Sequence, residues 1–165
     1  MKKYLSLFLI VLAQTANLFA FGPKPETQEQ TFTMIKPTAV RENHIGAIIE
    51  MIEKANLRVV ALKMTKLSET DAKSFYAVHR DKPFYPDLVK MMTSGPIVAM
   101  VVQGENAVSR LRELVGETDP KKAKSGTIRK AFGKDVSENA IHASDSIENA
   151  VNEIPFFFNS REIYS

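Results

Sequence analysis

The alternation of apolar and polar positions divides the chain into short segments. Thr31 to Lys36 (TFTMIK) reads as a strand that Pro37 ends. Apolar positions 45, 48, 49 and 52 form one stripe and predict a helix over 45–55. Leu57 to Leu67 predicts a second strand, with Val60, Leu62 and Met64 on one parity. Ser68, with Asp71 three residues on, is an N-cap that opens a helix reaching about Val78. A short helix follows over 83–93. Gly95-Pro96 then turns the chain into IVAMVVQG, whose near-continuous apolarity predicts a central strand buried on both faces. Helix is expected over 105–115, and a polar loop over 116–139 with one short helix near 127–132. A brief strand over 139–143 and a helix from an Asp145 cap to about Ile154 complete the body. Four strands interleaved with helices predict an α/β sandwich, with strand order left open.

Residues 1–20 break this pattern. Lys2 and Lys3 precede an apolar run from Tyr4 to Ala13, and small Ala20 follows. That layout is the one of a secretory signal, and a run of about ten residues is too short to span a bilayer. An uncleaved apolar arm is the competing reading. Residues 21–30 (FGPKPETQEQ) read as a linker and 31–165 as one domain. The 165-residue chain contains no cysteine, which excludes disulfides, thiolate metal sites and thiol nucleophiles. Its formal charge is +3, but Lys2 and Lys3 supply two of those charges, leaving 20 basic against 19 acidic residues. Anion binding must therefore come from placed residues and not from bulk charge.

Chemistry narrows to few groups. Of His44, His79 and His142, the last lies in a short strand, NAIHASDS, with Glu153 eleven residues on along the following helix. A carboxylate at a ring nitrogen fixes a histidine's tautomer, and neutral imidazole is a competent nucleophile toward phosphorus. Lys36, Arg112 and Arg129 are candidates to neutralise phosphates, and Phe84 and Tyr76 to meet a base and its phosphates. No GxxxxGK[ST], GxGxxG or clustered metal motif is present. Any magnesium is expected to arrive on the nucleotide phosphates.

These segments resemble one family. NAIHASDS resembles the active-site signature N-x-x-H-G-S-D of nucleoside diphosphate kinases. TMIKPTAV, FYAVHRDKPFYPDLV, MTSGPIVAMVVQGENAV, LVGETDPKKAKSGTIRKAF and NEIPFFF fit the same family in order and spacing, over about residues 30–158. The resemblance implies a ferredoxin-like sandwich, a four-stranded antiparallel sheet covered by helices. It implies a ping-pong phosphotransfer between nucleoside tri- and diphosphates, with magnesium, in a homo-oligomer (tetramer or hexamer). It places the nucleophile at His142, its carboxylate partner at Glu153 and a neighbouring hydroxyl at Ser144. Phosphate and sugar contacts fall on Lys36, Tyr76, Arg112, Thr118, Arg129 and Asn139, and base stacking on Phe84. Ala143 replaces the usual Gly, Thr38 the usual Asp or Gly, and Pro155 sits two residues past Glu153. The family implies a cytoplasmic enzyme, whereas a working leader over 1–20 implies export, and membrane association only if it stays attached.

Two alternatives of other classes stand beside this. One is an exported protein of the same fold that acts by protein contact. The other is an RNA-binding module, suggested by the basic KKAKSGTIRK loop, although IVAMVVQG carries no aromatic and TFTMIK only Phe32. No dedicated nucleic-acid site is expected.

Overall fold

Two adjacent strands carry the fold, because both are buried on both faces. The computed structural model describes residues 28–164. Strand β1 (Gln28–Ile35) lies antiparallel to β3 (Ile97–Glu105) through their whole length, from Gln28 opposite Glu105 to Ile35 opposite Val98. Strand β2 (Arg58–Thr65) pairs with the outer side of β3, and the three-residue β4 (Ile141–Ala143) with the outer side of β1. The order is β2-β3-β1-β4 and every pairing is antiparallel, the ferredoxin-like sheet that was expected.

Parity along β1 and β3 sorts the helices into two layers. Ile35, Val98, Met100 and Val102 point to one face. There they meet helices α1 (Pro37–Arg41), α2 (Ile45–Lys54), α5 (Ala107–Val115) and α6 (Ile128–Phe132). Phe32, Met34, Ile97, Ala99 and Val101 point to the other face. They pack on α3 (Glu69–Phe75), α4 (Tyr85–Met92) and α7 (Ile147–Phe157). The two-faced burial expected of IVAMVVQG is thereby observed.

Several boundaries differ from expectation, each for a local reason. β1 starts at Gln28, inside the expected linker, because Gln28–Gln30 pair through the backbone with Gln103–Glu105. The side chains of Gln30 and Gln103 also bond across the strands at 3.0 Å, so this part of the ladder has no apolar signal. Pro37 ends β1 but also opens α1 as its first residue, where a missing N–H costs nothing. β4 begins at Ile141 and not at Asn139, because Ala140 adopts φ +69° and turns the chain. Ser146, not Asp145, caps α7, its hydroxyl accepting from the Asn149 N–H at 3.1 Å. Pro155 does not stop that helix at Ile154. It lies in the last turn, where a single backbone hydrogen bond is lost, and the helix runs on to Phe157. Ser68 and Asp71 form the expected reciprocal cap.

In β2 the expected apolar parity is broken. A bulge between Val59 and Ala61 shifts the register, so Val60 and Ala61 are both buried. Leu62 and Met64 are left 51% and 56% exposed on this edge strand. The leader over 1–20 lies outside the described residues. Within them, no helix is long and apolar enough to cross a membrane.

Met100, fully buried on β3, touches the core that joins α2 and α5 to the sheet. Met100→Ala is expected to lower unfolding stability by about 2–5 kcal/mol, measured by urea denaturation.

Candidate active site

β4 is only three residues long, yet it fixes the site. His142 pairs with Met34 on β1, and its carbonyl accepts from the buried Thr33 hydroxyl at 2.6 Å. One residue past the strand, the Ser144 N–H donates to the Phe32 carbonyl at 3.0 Å. The chain then turns at Ser146 into α7, which returns along the sheet and delivers Glu153 to the histidine.

Glu153 Oε2 lies 2.9 Å from His142 Nε2 and accepts the Ser144 hydroxyl at 2.6 Å. A carboxylate oxygen that already accepts from serine draws an N–H from the imidazole. Nε2 thus carries the proton and Nδ1 keeps its lone pair. The two side chains are about one-fifth exposed, enough for a substrate to reach them.

Immediately before β4 lies a strained turn. The Ile141 N–H donates to the Asn139 carbonyl across Ala140, whose φ is +69°. This three-residue turn is costly for a residue with a Cβ. It is held from outside, because the Lys36 N–H donates to the Ala140 carbonyl at 2.9 Å. Asn139 is fixed as well. Its Oδ1 accepts from Lys36 Nζ at 2.7 Å, and its Nδ2 donates to the carbonyls of Val136 (2.9 Å) and Thr118 (3.4 Å).

Arg129 sits on α6 with its guanidinium buried. It donates to the carbonyls of Gly116 (3.0 Å) and Ile141 (3.1 Å). Gly116 needs to be glycine: its φ is +82°, and a Cβ would stand 2.6 Å from Thr127 Oγ1, the cap of α6. Burial, and secondarily Arg112, push the Arg129 guanidinium down to about 10. Burial, then the charge of Arg129, lowers the Lys36 ammonium to about 7. Tyr76 is held well above its usual range by burial and then by Glu153. The Tyr76 hydroxyl and Arg129 Nε find no hydrogen-bond partner among the described residues. Buried cations close together, with orphaned donors beside them, describe a pocket shaped for an anion.

The expected residues therefore converge unevenly. His142, Glu153, Ser144, Lys36, Asn139, Arg129 and Tyr76 form one connected cluster, with the Tyr76 ring 6.1 Å from that of His142. Arg112, on the exposed side of α5, is close enough to depress Arg129. Thr118 joins through its carbonyl. Phe84 lies further out and half-exposed, joined to Tyr76 through His79, whose ring is 6.3 Å from Tyr76 and 5.6 Å from Phe84. His79 and the half-exposed Val136 were not singled out from the sequence, and their positions beside Phe84 and Asn139 are the signal that was missed.

The family model described as nucleoside diphosphate kinase matches residues 29–163. The chain belongs to the nucleoside diphosphate kinase family. It is 56% identical over 135 residues to the nucleoside diphosphate kinase of Campylobacter curvus, covering 82% of this chain and 98% of that one. It is 53% identical over 137 residues to nucleoside diphosphate kinase 2 of Protochlamydia amoebophila, covering 83% and 96%. Among solved structures, the Aquifex aeolicus nucleoside diphosphate kinase matches with a TM-score of 0.80 at 42% identity, covering 82% and 99%. The Halobacterium salinarum nucleoside diphosphate kinase in complex with CDP matches with a TM-score of 0.80 at 40% identity, covering 84% and 92%.

Membership of this kinase family makes the chain a nucleotide phosphotransferase and does not favour the contact-protein or RNA-binding alternatives. The sheet agrees: Phe32 is fully buried, so it offers no base a stacking platform.

The depressed Lys36 ammonium has a measurable consequence. Between about 7 and its ordinary 10.5 the unfolded chain binds more protons than the folded one, so stability rises with pH across that window. The penalty is fully present below about 7. Lys36→Met is expected to be most favourable relative to wild type at pH 6.5 and to lose most of that advantage by pH 9.5, in urea titrations at both pH values.

Proposed function

We propose that this kinase works by a ping-pong reaction through a phosphate carried on Nδ1 of His142. The observation that carries this reading is the Nε2 contact to Glu153, which leaves Nδ1 as the free nucleophile. In the first half-reaction the Nδ1 lone pair attacks the terminal phosphorus of a nucleoside triphosphate. The bond to the bridging oxygen breaks and the diphosphate leaves with that electron pair. In the second, a terminal oxygen of another diphosphate attacks the same phosphorus, and the N–P bond returns its pair to Nδ1. The proton stays on Nε2, donated to Glu153, throughout, so neither step moves a proton at the histidine.

Catalysis then rests on positioning and charge. Arg129, Arg112 and Lys36 face the phosphates, with the Tyr76 hydroxyl and Thr118 as further donors. Asn139 and Lys36 meet the sugar. Phe84 stacks on the base, and Val136 offers a second apolar surface. Stacking without base-edge contacts suits a wide choice of bases. Ser144 steadies Glu153. Magnesium enters as part of the substrate, on the nucleotide phosphates.

A homo-oligomer, tetrameric or hexameric, is the proposed working form. Leu62 and Met64 support it, because an exposed apolar pair on an edge strand is a surface that another chain can cover.

Incubation with terminally labelled ATP is expected to leave acid-labile, base-stable label on the protein. His142→Ala removes it, and Glu153→Gln slows its formation roughly 10- to 100-fold. Label that survives in His142→Ala overturns the assignment. Light scattering is expected to give a multiple of the chain mass for wild type and a smaller species for Leu62→Lys/Met64→Lys.

A further inference from the structure

Three aromatic rings stand around the imidazole of His142. Phe75 is 5.3 Å away and edge-on, Phe32 is 5.9 Å away and tilted, and Tyr76 is 6.1 Å away and edge-on. Phe32 and Tyr76 are buried parts of the core, whereas Phe75 is the half-buried last residue of α3. Its ring connects the others. It lies 5.7 Å from Phe32, 4.9 Å from Tyr76 and 5.4 Å from each of Phe156 and Phe157.

Phe156 and Phe157 come three and four residues after Glu153, one turn further along the same helix. Phe75 therefore leans at once on the nucleophilic ring and on the turn of α7 that follows its carboxylate partner. The chemistry of the contact suits that place. A phenyl ring offers no hydrogen bond, so it does not compete with Glu153 for the Nε2 proton. Its quadrupole favours edge-to-face approach to a neighbouring ring and so fixes orientation. It also covers part of the His142 ring with apolar surface, and a drier surrounding protects a reactive intermediate.

We propose that Phe75 is a positioning residue: it holds the imidazole of His142 against Glu153 and keeps water from the phosphorylated ring until a diphosphate arrives. The proposal rests on the phosphohistidine reading above. The side reaction it suppresses is hydrolysis. There a water oxygen attacks the phosphorus, the N–P bond breaks with its pair returning to Nδ1, and inorganic phosphate leaves with the water proton released to solvent.

The test uses the full chain with Phe75→Leu and Phe75→Met, which keep apolar bulk without a ring, and Phe75→Tyr, which restores one. Each protein is charged with labelled ATP, freed of nucleotide, and followed with and without added diphosphate. Ring loss is expected to slow phosphoenzyme formation roughly ten- to a hundredfold. It is also expected to speed release of inorganic phosphate several-fold, with KM held within about twofold. Phe75→Tyr is expected to restore both rates.

Wild-type rates in Phe75→Leu and Phe75→Met, or a raised KM with unchanged kcat, overturn the proposal. So does Phe75→Tyr failing as badly as Phe75→Leu while melting at the wild-type temperature. If the wild type takes no label, the kinase mechanism falls separately, and nitrogen NMR of the imidazole decides the positioning role. One Nε2–H form in wild type that averages in Phe75→Leu supports it, and identical spectra overturn it.

Discussion

A single carboxylate oxygen organises this site. Glu153 Oε2 faces the imidazole and the Ser144 hydroxyl together, and both contacts depend on the placement of two consecutive elements, β4 and α7. β4 must pair with β1 to present His142, and α7 must return across the sheet to present Glu153. The His142–Glu153 contact is thus made by tertiary structure. A histidine on an isolated three-residue strand would exchange its proton between both nitrogens, and neither would be committed to attack.

The opposite wall obeys a different constraint. Lys36 and Arg129 are buried close together, and their hydrogen bonds go to neutral oxygens of Asn139, Gly116 and Ile141. Without a substrate the pocket keeps like charges in a poorly solvated place, which disfavours the folded state. In the proposed reaction a polyphosphate would supply the missing counter-charge. On that proposal its arrival would raise the Lys36 ammonium from about 7 toward its ordinary value, and binding would take up a proton near neutral pH. On the same proposal the stability lost to these buried charges would reappear as affinity for phosphate, and the remaining fold must be strong enough to tolerate the difference. The double-faced burial of β1 and β3 provides that margin.

Much of this was legible in the residues, and the failures share a cause. Continuous apolarity in IVAMVVQG specified the central strand, and the Ser68–Asp71 spacing specified a cap, because both signals are local. The polar start of β1, the N–H of Val108 accepted by Glu29, and the bulge at Val60 depend on partners distant in sequence, so periodicity could not report them. In the site, ordered motifs singled out His142 and Glu153, which the structure brings within 2.9 Å of each other. Phe75 and Val136 escaped notice, and His79 was passed over in favour of His142, because an aromatic, a valine and a lone histidine are ordinary in isolation. Their role comes from what stands beside them.

The departures from the family signature show how local the constraints are. Ala143, which replaces the Gly of the family signature, is a regular strand residue opposite Thr33, and its methyl is buried in the core. The strain lies three residues earlier, at Ala140, where the Lys36 N–H holds the turn. Thr38 likewise has a partner, its hydroxyl donating to Glu138 Oε1 at 3.0 Å and tying α1 to the residue before Asn139. Pro155 forgoes one backbone bond on the exposed side of α7, while Phe157 beyond it stacks on Phe32 at 4.9 Å and keeps the helix seated. Each change falls where backbone geometry or a neighbouring contact absorbs it, and Glu153 Oε2 stands 2.9 Å from His142 Nε2.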